Sequence, residues 1–158
     1  MELNRRVVLV ATLAVGAGAL AVSRTVAADE KPPVNVLAGR GVAIHGYDPV
    51  AYFVEGGPRK GRPDLAVERG GARWLFSSEG NKKRFEEDPA KYLPVYGGYC
   101  AYGVAQGYLV KIDPAAWSIV DGRLYLNYDR SIAQTWLKDV PGYVRKADAA
   151  WPALVTRR

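Results

Sequence analysis

Two glycine-bearing turns fix most of what this chain can become. Gly70-Gly71 lies between Leu65–Glu68 and Ala72–Phe76, and Asp121-Gly122 lies between Trp117–Val120 and Arg123–Asn127. The flanking runs are short and rich in branched and aromatic residues. Each turn supplies the positive φ that a two-residue hairpin loop requires. The sequence therefore predicts two antiparallel hairpins. Gly41–Tyr47 and Val50–Val54 read as two further short strands, the second ended by Gly56-Gly57-Pro58.

The period changes after each hairpin. Ser77 or Ser78 caps a short helix with Glu79 in its first turn and Phe85 inward. Asp88-Pro89 and Asp113-Pro114 each set a capping carboxylate before a proline at the first helical position. Two helices finish the chain. One spans 130–138 with Ile132, Ala133, Trp136 and Leu137 inward. The other starts at Pro141, stacks Tyr143, Ala147, Ala150, Trp151 and Leu154, and is bent or ended by Pro152. Trp74, Trp117, Trp136 and Trp151 are expected in the core. There is no βαβ alternation, and no internal repeat is visible. The expected fold class is α+β: one small domain of short antiparallel strands and hairpins with several short helices, two of them C-terminal.

Residues 1–28 stand apart from that fold. Arg5-Arg6 precede an apolar run from Val7 to Val22, and Val26-Ala27-Ala28 offers small residues for cleavage, the layout of a secretory signal. The adjacent arginines also resemble a twin-arginine signal. The expected organisation is a signal peptide at 1–28, a linker at 29–40 around Lys31-Pro32-Pro33, and a domain at 41–155. The chain is then exported, to the periplasm where an outer membrane exists, and keeps no membrane span after cleavage. Without residues 1–28 it has 22 less 3 basic and 16 less 1 acidic side chains, a net +4. That excess is dispersed. Lys82-Lys83-Arg84 is followed at once by Glu86, Glu87 and Asp88. No basic stripe exists for nucleic acid, which is excluded as a partner.

The chain holds one cysteine and one histidine. His45 opens a cassette running to Phe53, and Cys100 sits inside Tyr96–Gly103; both cassettes are rich in tyrosine and glycine. A lone thiol forms no internal disulfide, which leaves a metal ligand, a reactive group, an inert buried atom or a link to another chain. Thiolate and imidazole are good ligands for copper and zinc, but two ligands fall short of a zinc site. Asp48 and Asp113 both precede proline and read as caps or turn formers.

At this point the residues resemble a known family. Asp48-Pro49-Val50, then Trp74–Ser78, Asn81, Phe85, Asp88-Pro89 and Tyr92 are similar to the YHS domain. The wider set of Gly46–Phe53, Tyr96–Gly103 and Leu124–Tyr128 resembles a bacterial branch of exported YHS-domain proteins. The resemblance implies a small metal-binding module akin to the TRASH domain, whose usual ligands are cysteines. Those ligand positions correspond here to Ala51, Ser77 and Asn81, none of which is a thiolate.

Three readings follow. The first is a binding module in which His45 and Cys100 hold a transition metal, copper before zinc or haem, or a small ligand, with Tyr47, Tyr99 and Tyr102 shaping the cofactor surround beside Asp48. The second is a thiol-dependent enzyme with Cys100 as nucleophile, activated at a helix N-terminus, and His45 as base. The third is a structural or partner-binding subunit without a ligand. Binding is preferred to turnover. The protein partner and the substrate of any reaction stay open.

Overall fold

The structure is a computed structural model that describes residues 34–156. The expected signal peptide and residues 29–33 of the expected linker lie outside the described residues. The predicted hairpins are present. Strand β1 (Arg62–Arg69) pairs antiparallel with β2 (Ala72–Phe76), and β3 (Asp113–Val120) pairs antiparallel with β4 (Arg123–Asn127), giving two separate two-stranded sheets. Among the described residues the helices are α1 (Ala51–Val54), α2 (Glu79–Glu87), α3 (Pro89–Tyr92), α4 (Ala101–Ala105), α5 (Arg130–Leu137) and α6 (Val140–Thr156). The α+β expectation holds. No helix among the described residues is long and apolar enough to cross a membrane.

Two segments differ from their strand prediction. Ala43–Gly46 is a 3₁₀ turn, because Ile44, His45 and Gly46 all take positive φ, at 40°, 59° and 75°. Val50–Val54 is largely the short helix α1, since the Asp48 carboxylate accepts the first free amides and turns the chain after Pro49. Asp113-Pro114 opens β3 rather than a helix; the Asp113 carboxylate accepts Ala115 N two residues on. Pro152 neither ends nor interrupts α6, although it removes one helical hydrogen bond. Trp74 and Trp136 are fully buried as expected, whereas Trp117 and Trp151 are only half-buried.

The chain is also built twice, against the sequence reading. Each pairing of the second hairpin repeats one of the first, 51 positions later: Arg62 with Phe76 becomes Asp113 with Asn127, and Arg69 with Ala72 becomes Val120 with Arg123. The same irregularity interrupts both, between Arg62 and Ala66 and between Asp113 and Trp117. Ser78 caps α2 by accepting Asn81 N, and Asp129 caps α5 by accepting Ile132 N. Asp88 accepts Lys91 N and Asp139 accepts Gly142 N. Upstream the shift is 52. The 3₁₀ turn Val95–Gly98 has positive φ at Tyr96, Gly97 and Gly98, matching Ile44, His45 and Gly46. Asp48 N donates to Arg59 O, and Cys100 N, 52 positions on, donates to Val110 O, where the shift is already 51.

The two units share one interior. Trp74, Phe76, Phe85, Ile44, Leu124, Leu126 and Cys100 pack in one cluster, with Trp74 and Phe76 each against Phe85 at 5.9 and 5.0 Å between ring centroids. A second cluster of Tyr96, Tyr99, Val104, Tyr125, Trp136 and Ala147 seats α6. Ile44 of the first turn meets Gly98 of the second so closely that a Cβ at Gly98 would run into Ile44 Cγ2 and Pro94 Cγ. Gly98→Ala should therefore cost about 3 kcal/mol, from forced positive φ plus overpacking. Gly122→Ala, also at positive φ but facing open space, should cost about 1 kcal/mol. Urea unfolding of both variants checks the contrast, and equal losses would remove the claim that the two turns interlock.

Candidate functional site

The most heavily bonded side chain is Asp48, which is fully buried. Its Oδ1 accepts Val50 N at 2.8 Å and Ala51 N at 3.2 Å. Its Oδ2 accepts Ser77 N at 2.8 Å, Ser77 Oγ at 2.7 Å and Asn81 Nδ2 at 2.8 Å. Five donors saturate the carboxylate, which is how a buried charge is made tolerable. Glu55 Oε1 accepts the same Asn81 amide at 3.0 Å. The Arg59 guanidinium holds the Glu55 carboxyl below its ordinary range, with the Asn81 amide adding to the effect. Ala51, Ser77 and Asn81, the positions the resemblance marks, thus all turn toward one oxygen-bearing group. Asp48→Asn would aim an amide N–H at donors and should cost about 3 kcal/mol in urea unfolding, while Glu55→Gln at the exposed edge should cost well under 1 kcal/mol. An Asp48→Asn protein as stable as the parent would show that the hub carries no load.

In the second unit Cys100 occupies the seat equivalent to Asp48. Its Sγ accepts Gly103 N at 3.3 Å, the same N-capping reach that Asp48 makes to Ala51, and lies 3.7 Å from Asn127 Oδ1. Asn127 also accepts Tyr102 N at 3.2 Å and is fully buried. The counterparts of Ala51, Ser77 and Asn81 are Gly103, Tyr128 and Ile132. They line a shallow apolar hollow of about 270 Å³ beside Cys100. Cys100 does sit at a helix N-terminus, as the sequence suggests, but burial pushes its thiol up rather than down. The backbone N–H groups around it only moderate that shift.

His45 lies in the first 3₁₀ turn at positive φ. Its backbone carbonyl accepts Lys60 Nζ at 2.8 Å, and its Nε2 is buried with no hydrogen-bond partner. Burial, helped by Lys60 and Lys111, pushes the imidazole below 6.5. No hydrogen bond joins His45 to Cys100. Among the described residues no three His, Cys, Asp or Glu side chains are grouped so as to hold a metal. The tyrosines disperse. Lys60 Nζ sits 4.3 Å from the Tyr47 ring centroid, Tyr99 is buried with its hydroxyl 3.5 Å from Val34 O, and Tyr102 packs edge-on to Tyr143 at 5.1 Å.

These environments set the pH response. Below pH 6.5 an unfolded chain protonates its imidazole while the folded chain resists, so stability present above 6.5 is lost as pH falls through the folded value. Above 9.0 an unfolded chain ionises its thiol while the fold keeps the proton, so stability present below 9.0 is lost as pH rises through the folded value. Urea midpoints across pH should fall at both ends. His45→Asn, which tolerates the positive φ, should flatten the acid limb, and Cys100→Ala the alkaline one. Unchanged limbs in both variants would refute these assignments.

A larger feature lies between the units. A cleft of about 1020 Å³ is bounded by both hairpin tips and by α3, the second 3₁₀ turn and α6. Its aromatic lining is Trp74, Tyr96 and Trp151, with Tyr96 and Trp151 rings 5.6 Å apart. Tyr96 donates its hydroxyl to Asp148 Oδ1 at 2.8 Å, and burial followed by that carboxylate pushes the phenol up. Arg69, Lys91 and Arg123 stand exposed on the walls. Sequence reasoning does not reach this cleft, because its residues are scattered from Val34 to Trp151 and meet only when the two units pack.

Residues 50–96 match the YHS domain. A YHS domain, a possible metal-binding module, is therefore present over that stretch, which covers most of the first unit. No curated protein matches the chain, and no solved structure does.

Proposed function

We propose that this protein is an exported binding module rather than a catalyst, and that its site is the cleft between the two units. The cleft carries the reading. It is of the size that takes a small organic molecule, exposes part of Trp151 with Tyr96 and Trp74 packed behind, and has a few polar groups on its walls. The YHS metal position does not compete well. With Ala51, Ser77 and Asn81 standing where the family's cysteines are expected, three of the groups around that position are donors aimed at Asp48, and the carboxylate has no free lone pair for an ion. Amide and hydroxyl groups are also poor ligands for the soft metals that thiolates select.

Catalysis by Cys100 is disfavoured by the same geometry. The sulfur is 1% exposed, its proton is held by burial, and no imidazole is hydrogen-bonded to it. A copper-binding reading through His45 and Cys100 keeps one specific support, the buried and unpartnered His45 Nε2. Native mass spectrometry and metal analysis of protein recovered from the exporting cell separate the two. The cleft reading expects a small organic adduct, or ligand-induced thermal stabilisation, that Trp151→Ala abolishes. One copper per chain, lost in Cys100→Ser, would overturn it.

A further inference from the structure

The chemistry of the cleft walls goes one step beyond its proposed use, and rests on that reading. Arg69, Lys91 and Arg123 all line it, and among the described residues none of the three forms an ion pair. The cleft's lining also holds two carboxylates. Glu68 lies 3.7 Å from Arg73 Nε, outside the lining, and Asp148 accepts the Tyr96 hydroxyl, a bond that does not cancel its charge. Three cations against two carboxylates, one of them paired elsewhere, leave an excess of positive charge on the walls. Low-dielectric walls of tryptophan and tyrosine concentrate such a field.

Placement strengthens the point. Arg69 ends β1 beside Gly70, and Arg123 opens β4 beside Gly122, so each hairpin tip delivers one guanidinium to the same cleft. Neither arginine has a basic counterpart in the other unit. Arg69 corresponds to Val120, and Arg123 corresponds to Ala72. The pair is thus not a by-product of the repeated architecture. A guanidinium is suited to planar anions, which it grips with two parallel N–H groups. The half-buried Trp151, backed by the Tyr96 ring, offers an apolar surface to a flat body.

We propose that the cleft binds a small amphipathic anion: a flat aromatic or otherwise apolar body carrying a carboxylate or sulfonate, with the body against Trp151 and the acid group between Arg69 and Arg123. The test is a fluorescence titration with two probes of similar body, the anionic 8-anilinonaphthalene-1-sulfonate and the neutral N-phenyl-1-naphthylamine. The full chain should bind the sulfonate at one saturable site and the neutral probe at least about tenfold more weakly. Arg69→Gln and Arg123→Gln should each weaken sulfonate binding about tenfold, with native near-ultraviolet dichroism retained. Lys83→Gln, remote from the cleft lining, should leave it unchanged. Equal binding of both probes, unaffected by either arginine variant but lost in Trp151→Ala, would overturn the anion inference and leave the cleft reading standing. No saturable binding of either probe would overturn both.

Discussion

Asp48 is the constraint on which the first unit depends. A carboxylate with no solvent access is tolerable only when nearly every lone pair is met, and here the donors come from three places: the start of α1, the end of β2 and the first turn of α2. One side chain thereby ties the 3₁₀ turn to the hairpin and to the helix that follows it. A metal ion bound by residues from the same elements would tie them in the same way. On the reading proposed here, the hydrogen-bonded carboxylate does for this fold what such a metal would do.

The second unit keeps the plan and changes the chemistry. Cys100 caps α4 from the seat of Asp48, but a thiol offers one weak acceptor where a carboxylate offers several. The difference is made up by Asn127, whose Oδ1 takes Tyr102 N, and by aromatic packing of Tyr125 and Trp136 under α6. The long C-terminal helix has no equivalent beyond α3 in the first unit. Its Asp148 and Trp151 close one wall of the cleft. The proposed ligand site and the second unit's stability therefore draw on the same helix.

Both hairpins, the Ser78 and Asp88 caps and the two final helices are legible in the sequence, because each depends on neighbours a few residues apart. The turn at Ile44-His45 is not. Two non-glycine residues at positive φ contradict local preference, and they are held there by packing of Ile44 against Gly98 and by Ile44 N donating to Asn35 O. The repeat is hidden for a related reason. It persists in cap positions, turn dihedrals and hairpin register, where Ser78 and Asp129 or Asp48 and Cys100 do one job with different atoms. The identities that survive are scattered: Gly46 and Gly98, Tyr47 and Tyr99, Lys60 and Lys111, Pro63 and Pro114, Gly71 and Gly122, Leu75 and Leu126, Asp88 and Asp139, and Tyr92 and Tyr143. His45 and Cys100 attract notice in the sequence by their scarcity. Scarcity does not report burial, and burial decides what both groups do.

The central proposal is that a hydrogen-bonded carboxylate hub stands where the resemblance to the YHS domain would put metal-binding cysteines. Cobalt(II) titration followed by visible absorption tests it most directly, comparing the parent with a variant carrying Ala51→Cys, Ser77→Cys and Asn81→Cys together. The account predicts no tetrahedral cobalt spectrum for the parent and a thiolate-ligated spectrum for the variant. A parent protein that itself takes up cobalt in a site abolished by Asp48→Asn would contradict it.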